Sequence, residues 1–140
     1  MSMSGNMKIT VMKFGGTSVE NAASMARTAE IVAGRRDRGL TPVIVVSAMA
    51  KVTDQLLAAA SAAERGDRTG ALAISSRLRN RHLDVASTLL TGAQIASTHA
   101  WMEERFQSLD DLLRGLAAVQ ELTPRTTDLV ASYGERLSSR

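Results

Sequence analysis

A chain of 140 residues, 44% apolar and 22% charged, has the makeup of one globular domain and not of a disordered segment. Its 17 basic residues are interspersed with 14 acidic ones for a net charge of +3, and only 3% of residues are aromatic, which argues against a nucleic-acid-binding stripe or a base-stacking platform. With no cysteine there is no disulfide framework, thiolate metal site or cysteine nucleophile.

Residues 1–6 are small and polar with no apolar signal-peptide core behind them, and no apolar run is long enough to span a bilayer. A cytoplasmic chain with neither nucleic-acid nor membrane partners is expected. The β-branched run at about residues 8–13 reads as a strand buried on both faces. It leads into Lys13-Phe14-Gly15-Gly16-Thr17-Ser18, a glycine turn. Asn21 can cap the helix that follows, whose Ala22, Met25, Ala26, Ala29, Val32 and Ala33 share an apolar face. Arg35, Arg36 and Arg38 lie at its negative end, and Gly39 supplies a left-handed stop. Pro42-Val43-Ile44-Val45-Val46-Ser47 is a second near-continuous apolar strand, which completes a right-handed βαβ unit.

After the turn at residues 48–52, Thr53 or Asp54 can cap a helix running to about residue 63, and residues 64–68 form a polar break. A long helix is expected over about residues 70–90, with Ile74, Leu78, Val85 and Leu89 on one face. Its densest basic stretch, Arg77-Leu78-Arg79-Asn80-Arg81-His82, reads as a solvated face, with His82 itself on the apolar stripe as a packed residue. A further helix spans about residues 93–120 and carries Ile95, Met102, Phe106, Leu109, Leu113 and Leu116. His99 has no partner spacing that suggests a metal, and Trp101 reads as a core or helix contact. Thr123-Pro124 restarts the chain as cap and first helical residue of one last helix, with Leu129, Val130, Tyr133 and Leu137 on its apolar side. Two parallel strands against five helices are too narrow a sheet to stand alone, so more sheet is expected beside them in a longer α/β domain.

Three stretches can carry chemistry. In the first, a strand, a glycine turn and a helix aim backbone N–H groups at one spot, with the Lys13 ammonium beside it, as an anion site requires. It is not a Walker A loop, because the lysine precedes the glycines. A plain strand–helix turn with Lys13 in solvent is the alternative. The second, Ser47-Ala48-Met49-Ala50-Lys51-Val52-Thr53, leaves the carboxyl end of a parallel strand, the edge where open α/β sheets bind ligands. Its small residues admit a ligand and Ser47 and Thr53 offer hydroxyls, although Thr53 serves equally as a helix cap. The third is Tyr133-Gly134-Glu135-Arg136-Leu137-Ser138-Ser139. A glycine inside a helix costs about 1 kcal/mol relative to alanine, so Gly134 marks close packing or ligand approach. Glu135 can hold a ligand ammonium or form a surface pair with Arg136.

Taken in order, Lys-Phe-Gly-Gly-Thr-Ser-Val at 13–19, Val-Val-Ser-Ala-Met at 45–49 with Val-Thr-Asp at 52–54, and Gly-Glu-Arg-Leu-Ser-Ser at 134–139 resemble aspartokinase over residues 8–140. The resemblance implies the N-terminal part of a three-layer α/β/α amino-acid-kinase fold, helix-rich with few parallel strands. It also implies transfer of the ATP γ-phosphoryl group to the β-carboxylate of L-aspartate, the entry step to lysine, threonine and methionine synthesis. By resemblance, Lys13 is the catalytic cation. Lys13, Gly15, Gly16, Thr17 and Ser18 bind ATP phosphates, and Ser47, Ala48, Thr53 and Glu135 bind aspartate. Mg²⁺ bridges the ATP phosphates, no residue of this chain is a metal ligand, and the enzyme is a homo-oligomer. Ala50 departs from the family, which commonly has glycine there. The family's later catalytic aspartate, substrate-carboxylate arginine, nucleotide-binding segment and regulatory ACT domains lie past the third motif. The 140 residues are therefore expected to be an incomplete amino-acid-kinase domain, inactive alone and self-associating. Other amino-acid kinases, acting on glutamate, acetylglutamate or UMP, and a non-catalytic helical assembly module are the competing readings.

Overall fold

Strand β1 (Lys8–Phe14) and strand β2 (Leu40–Val46) pair in parallel, with Lys8 opposite Leu40 and Phe14 opposite Val46, in a computed structural model that describes residues 8–139. The polar opening at residues 1–6 lies outside the described residues. Between the strands come a 3₁₀ turn, Gly16–Val19, and helix α1 (Ala22–Arg36), capped as expected by Asn21. Gly39, at φ +73°, reverses the chain into β2. β2 begins two residues before the expected strand and ends at Val46, so Ser47 is the first residue beyond it.

Paired residues of a parallel sheet share a face. Phe14, Ile44 and Val46 turn toward α1, where Ile44 and Val46 meet Met25, Val32 and Ala33 across a cleft. Ile9, Val11, Val43 and Val45 point the other way and remain 64%, 69%, 47% and 46% exposed. The strands were expected to be buried on both faces. One helix on one side cannot do that, and among the described residues nothing covers the second face. The apolar stripe of α1 is likewise only partly covered, with Ala26, Ala29 and Ala33 exposed.

The core lies in the helices. α2 (Val52–Glu64), α3 (Arg68–Leu89) and α4 (Ala93–Val119) pack together around Leu56, Ala59, Leu78, Phe106, Leu109 and Leu113, all essentially inaccessible. The alanines of α2 let its backbone approach its neighbours closely. Neither Thr53 nor Asp54 caps α2: Val52 N–H donates to the Met49 carbonyl (3.0 Å), so the helix starts earlier, with Lys51 at its N-cap in the left-handed region, φ +68°. The expected last helix is two, α5 (Pro124–Ala131) and α6 (Tyr133–Ser138), divided at Ser132, whose hydroxyl donates to the Leu129 carbonyl (2.7 Å). Gly134 therefore sits in the first turn of α6 rather than in a helix interior.

The basic stretch at residues 77–82 is also corrected. Arg77 is exposed, but Arg79 reaches into the α3–α4 interface and donates to Asp110 Oδ2 (2.8 Å), while Ser75 donates to Asp110 Oδ1 (2.5 Å). Burial among helices leaves the carboxylate of Asp110 little access to water, and these two donors satisfy it.

Candidate functional site

The parallel register places the carboxyl ends of both strands side by side, and both glycine-bearing loops leave from that edge. Ser47 N–H donates to the Phe14 carbonyl (3.1 Å), extending the ladder one residue past β2 and tying the second loop to the first. A Cβ on Gly16 would lie 3.2 Å from the Ala48 carbonyl oxygen and 3.7 Å from the Ala50 backbone. A side chain at Gly16 would press on the second loop and push it back by a few tenths of an ångström, so glycine favours this close packing. Gly15, by contrast, faces open space, with no heavy atom within 4 Å of a Cβ built there. A ligand can therefore reach the backbone at Gly15.

The third stretch arrives from the far end of the chain. Ser138 Oγ donates to the Ser47 carbonyl (2.6 Å) across 91 positions of sequence, and it also contacts the Gly134 carbonyl (3.1 Å). Gly134 packs against Ala48: a Cβ there would stand 2.7 Å from the Ala48 Cβ and 3.4 Å from Val52 Cγ1. Three stretches distant in sequence thus converge on residues 47–50.

The expected site residues divide accordingly. Gly16, Ser47 and Ala48 form the centre of this convergence. Lys13 is exposed and lies on the sheet face away from α1, alternating with Ile9 and Val11. Thr17 is exposed and Ser18 half-buried in the 3₁₀ turn, where the Ser18 carbonyl accepts from Thr28 Oγ1 (2.9 Å). Thr53 is half-buried in the first turn of α2, and Glu135 is exposed in the first turn of α6. Ala50 does not take the left-handed conformation that a glycine would favour. That conformation falls on Lys51, so alanine at 50 is accommodated without strain.

One residue that the sequence assigned to a solvated face belongs here. Arg81, on α3, donates through Nη1 to the Ala50 carbonyl (2.8 Å) and through Nη2 to the Glu20 carbonyl (2.9 Å). These acceptors lie 31 and 61 positions away, and both are backbone atoms, so no side-chain pattern signals the contact. Beside it, His82 is buried, with Nδ1 against the Leu78 carbonyl (2.7 Å) and Nε2 without a partner. Burial lowers its pKa from the ordinary 6.5, against the raising effect of the Leu78 hydrogen bond, and the Arg81 charge lowers it further. Under the loop, His82, Met49, Met25, Met102 and Leu137 line a cavity of about 380 Å³.

The arrangement offers a lysine ammonium, exposed and half-buried hydroxyls, an accessible glycine backbone and a carboxylate around one edge. These groups suit the binding of an anion next to a molecule bearing an ammonium.

Residues 8–140 match the family model described as the amino acid kinase family. Aspartokinase 2, chloroplastic, of Arabidopsis thaliana is 36% identical over an alignment of 141 positions that covers 99% of this chain and 24% of that protein. The aspartokinase of Chlamydia trachomatis is 33% identical over 92% of this chain and 26% of its own length. Among solved structures, E. coli aspartokinase III in complex with aspartate and ADP superposes with a TM-score of 0.75 at 30% identity, over 94% of this chain and 27% of that one. The chain spans about a quarter of the length of these three relatives.

Proposed function

Because the chain belongs to the amino acid kinase family, we propose that it forms the N-terminal part of an aspartokinase catalytic domain, in which ATP phosphorylates the β-carboxylate of L-aspartate to give 4-phospho-L-aspartate. The observation that carries this proposal is the convergence of residues 15–16, 47–50 and 134–138 at one sheet edge. The aspartate carboxylate is ionised at neutral pH and needs no strong general base, so the work is to hold two anions together and absorb charge on the transferring phosphoryl group. Lys13 neutralises phosphate charge, and the backbone at Gly15 and Gly16, with Thr17 and Ser18, receives the phosphates. Ser47, Ala48 and Thr53 hold the amino acid, and Glu135 pairs with its α-ammonium.

ATP fits this edge because Gly15 is open and Lys13 is exposed beside it. Mg²⁺, arriving with ATP, would supply further charge neutralisation there. A homo-oligomer in the cytoplasm, feeding lysine, threonine and methionine synthesis, completes the proposal.

The test is a coupled assay for aspartyl phosphate on the full polypeptide that carries this chain, with glutamate, acetylglutamate and UMP as competing acceptors. Product from aspartate alone supports the proposal; product from another acceptor reassigns the substrate. Calorimetry of the 140-residue chain with Mg-ATP and with aspartate addresses the competing assembly-module reading, since such a module binds neither.

A further inference from the structure

The two loops that meet at the sheet edge share one side chain. Arg81 projects from α3, outside all three motif stretches, and its guanidinium fork reaches the Glu20 carbonyl at the end of the glycine turn and the Ala50 carbonyl in the following loop. A planar guanidinium presents donors at fixed spacing, so the two contacts together set the separation of the loops. Gly16 allows the loops to touch, and Arg81 holds them there. Both acceptors precede helical starts: Glu20 lies just before Asn21, the cap of α1, and Ala50 just before Lys51, the cap of α2. Movement of either carbonyl would therefore re-aim the first turn of a helix along with its loop.

We propose that Arg81 is a positioning residue for phosphoryl transfer, clamping the phosphate-side turn to the amino-acid-side loop. The proposal rests on the kinase reading for its catalytic consequence but not for the clamp itself. Because the clamp needs two donors in a fork, lysine cannot replace arginine: an ammonium keeps the charge but cannot bridge the two carbonyls in that fixed geometry. Misplacing reacting groups by even an ångström costs on the order of 10²-fold in rate, so the catalytic effect should be large although Arg81 touches no substrate.

Two measurements on Arg81→Met and Arg81→Lys test this. Hydrogen exchange on the 140-residue chain should show the Ser18 and Val52 amides, which bond Gly15 and Met49 carbonyls, exchanging about 10-fold faster or more in both variants. The Ala71 amide, which bonds the carbonyl of Asp67 at the N-cap of α3, should be unchanged. In the full polypeptide, kcat per folded molecule should fall on the order of 10²-fold in both variants, with a smaller rise in KM for aspartate. Unchanged exchange at Ser18 or Val52, an equal rise at Ala71, or full recovery by lysine overturns the clamp. If the unaltered polypeptide makes no aspartyl phosphate, the kinase reading fails while exchange still decides whether Arg81 joins the loops.

Discussion

Gly134 and Ala48 pack so closely that a methyl group added to Gly134 would lie 2.7 Å from the Ala48 Cβ. This is closer than non-bonded carbons approach, while Val52 at 3.4 Å and Leu56 at 3.6 Å would already be in van der Waals contact with the added methyl on its other sides. Val52 and Leu56 are fully buried in α2, so they cannot retreat without opening the core.

Gly134→Ala should therefore destabilise the chain even though alanine is the better helix former. Overpacking costs about 1–3 kcal/mol, while the helical preference returns at most about 1 kcal/mol. Gly115, within α4, meets no heavy atom within 4 Å, so Gly115→Ala should stabilise by about 0.5–1 kcal/mol. Urea unfolding of the two variants against the unaltered chain reads the contrast, and equal effects at both positions would sink it.

Asp110→Asn should destabilise the α3–α4 interface. The carboxylate accepts from Ser75 and Arg79, and an amide can accept with only one of its two heads. Arg79 keeps 25% of its side-chain surface exposed, and its guanidinium also lies 3.6 Å from Glu103. Some solvation of the cation therefore survives. The loss should be about 2–4 kcal/mol, toward the low side of what breaking a buried pair costs. Thermal unfolding checks it, and a Tm within a degree of the unaltered protein would show that the pair is not coupled to the fold.

Stability should fall on acidification through His82. Its folded pKa is lowered from 6.5, so the unfolded chain binds the proton more readily. The stability contributed by neutral His82 is complete above about pH 6.5 and is lost as pH falls from there through the lower folded value. His82→Leu removes the group, so the difference between the pH–stability profiles of the two proteins isolates it from His99. Parallel profiles between pH 7 and 5 would contradict the assignment.

Lys13→Ala should reduce kcat of the full polypeptide about 10²- to 10³-fold, the range for removing one preorganised charge or donor at a developing anion. Its exposure and its place on the open sheet face predict little change in the urea midpoint. A variant with normal turnover would remove Lys13 from the mechanism.

The bare sheet face should drive self-association of the isolated chain. Ile9, Val11, Val43 and Val45 form an apolar patch beside unpaired strand edges. Sedimentation at micromolar concentration should show association that Ile9→Lys with Val11→Glu abolishes; a monodisperse monomer for the unaltered chain would be the contrary result.

By itself the sequence determined most of the local elements and their order, though not the cap of α2 or the division of the last helix at Ser132. Asn21 accepts from the Ser24 amide (2.9 Å), and Thr123 accepts from the Thr126 amide (3.1 Å), in both cases within three residues. Side-chain period, caps and glycine stops act over one or two turns, so they can be read along a linear chain. The three motif stretches were legible as well, because each is a compact run of distinctive residues. What only the tertiary structure decided is how those runs meet. Ser138 finds Ser47 across 91 positions, and Arg81 finds two carbonyls that every residue type possesses. A periodic pattern states that a face is apolar or charged but not what lies against it. For that reason Arg79 and Arg81 read as solvated and the strands read as buried on both faces. Which face is covered depends on the neighbours the fold supplies, and here α1 shields one side of the sheet only in part, leaving Ile44 45% exposed, and leaves the other side bare.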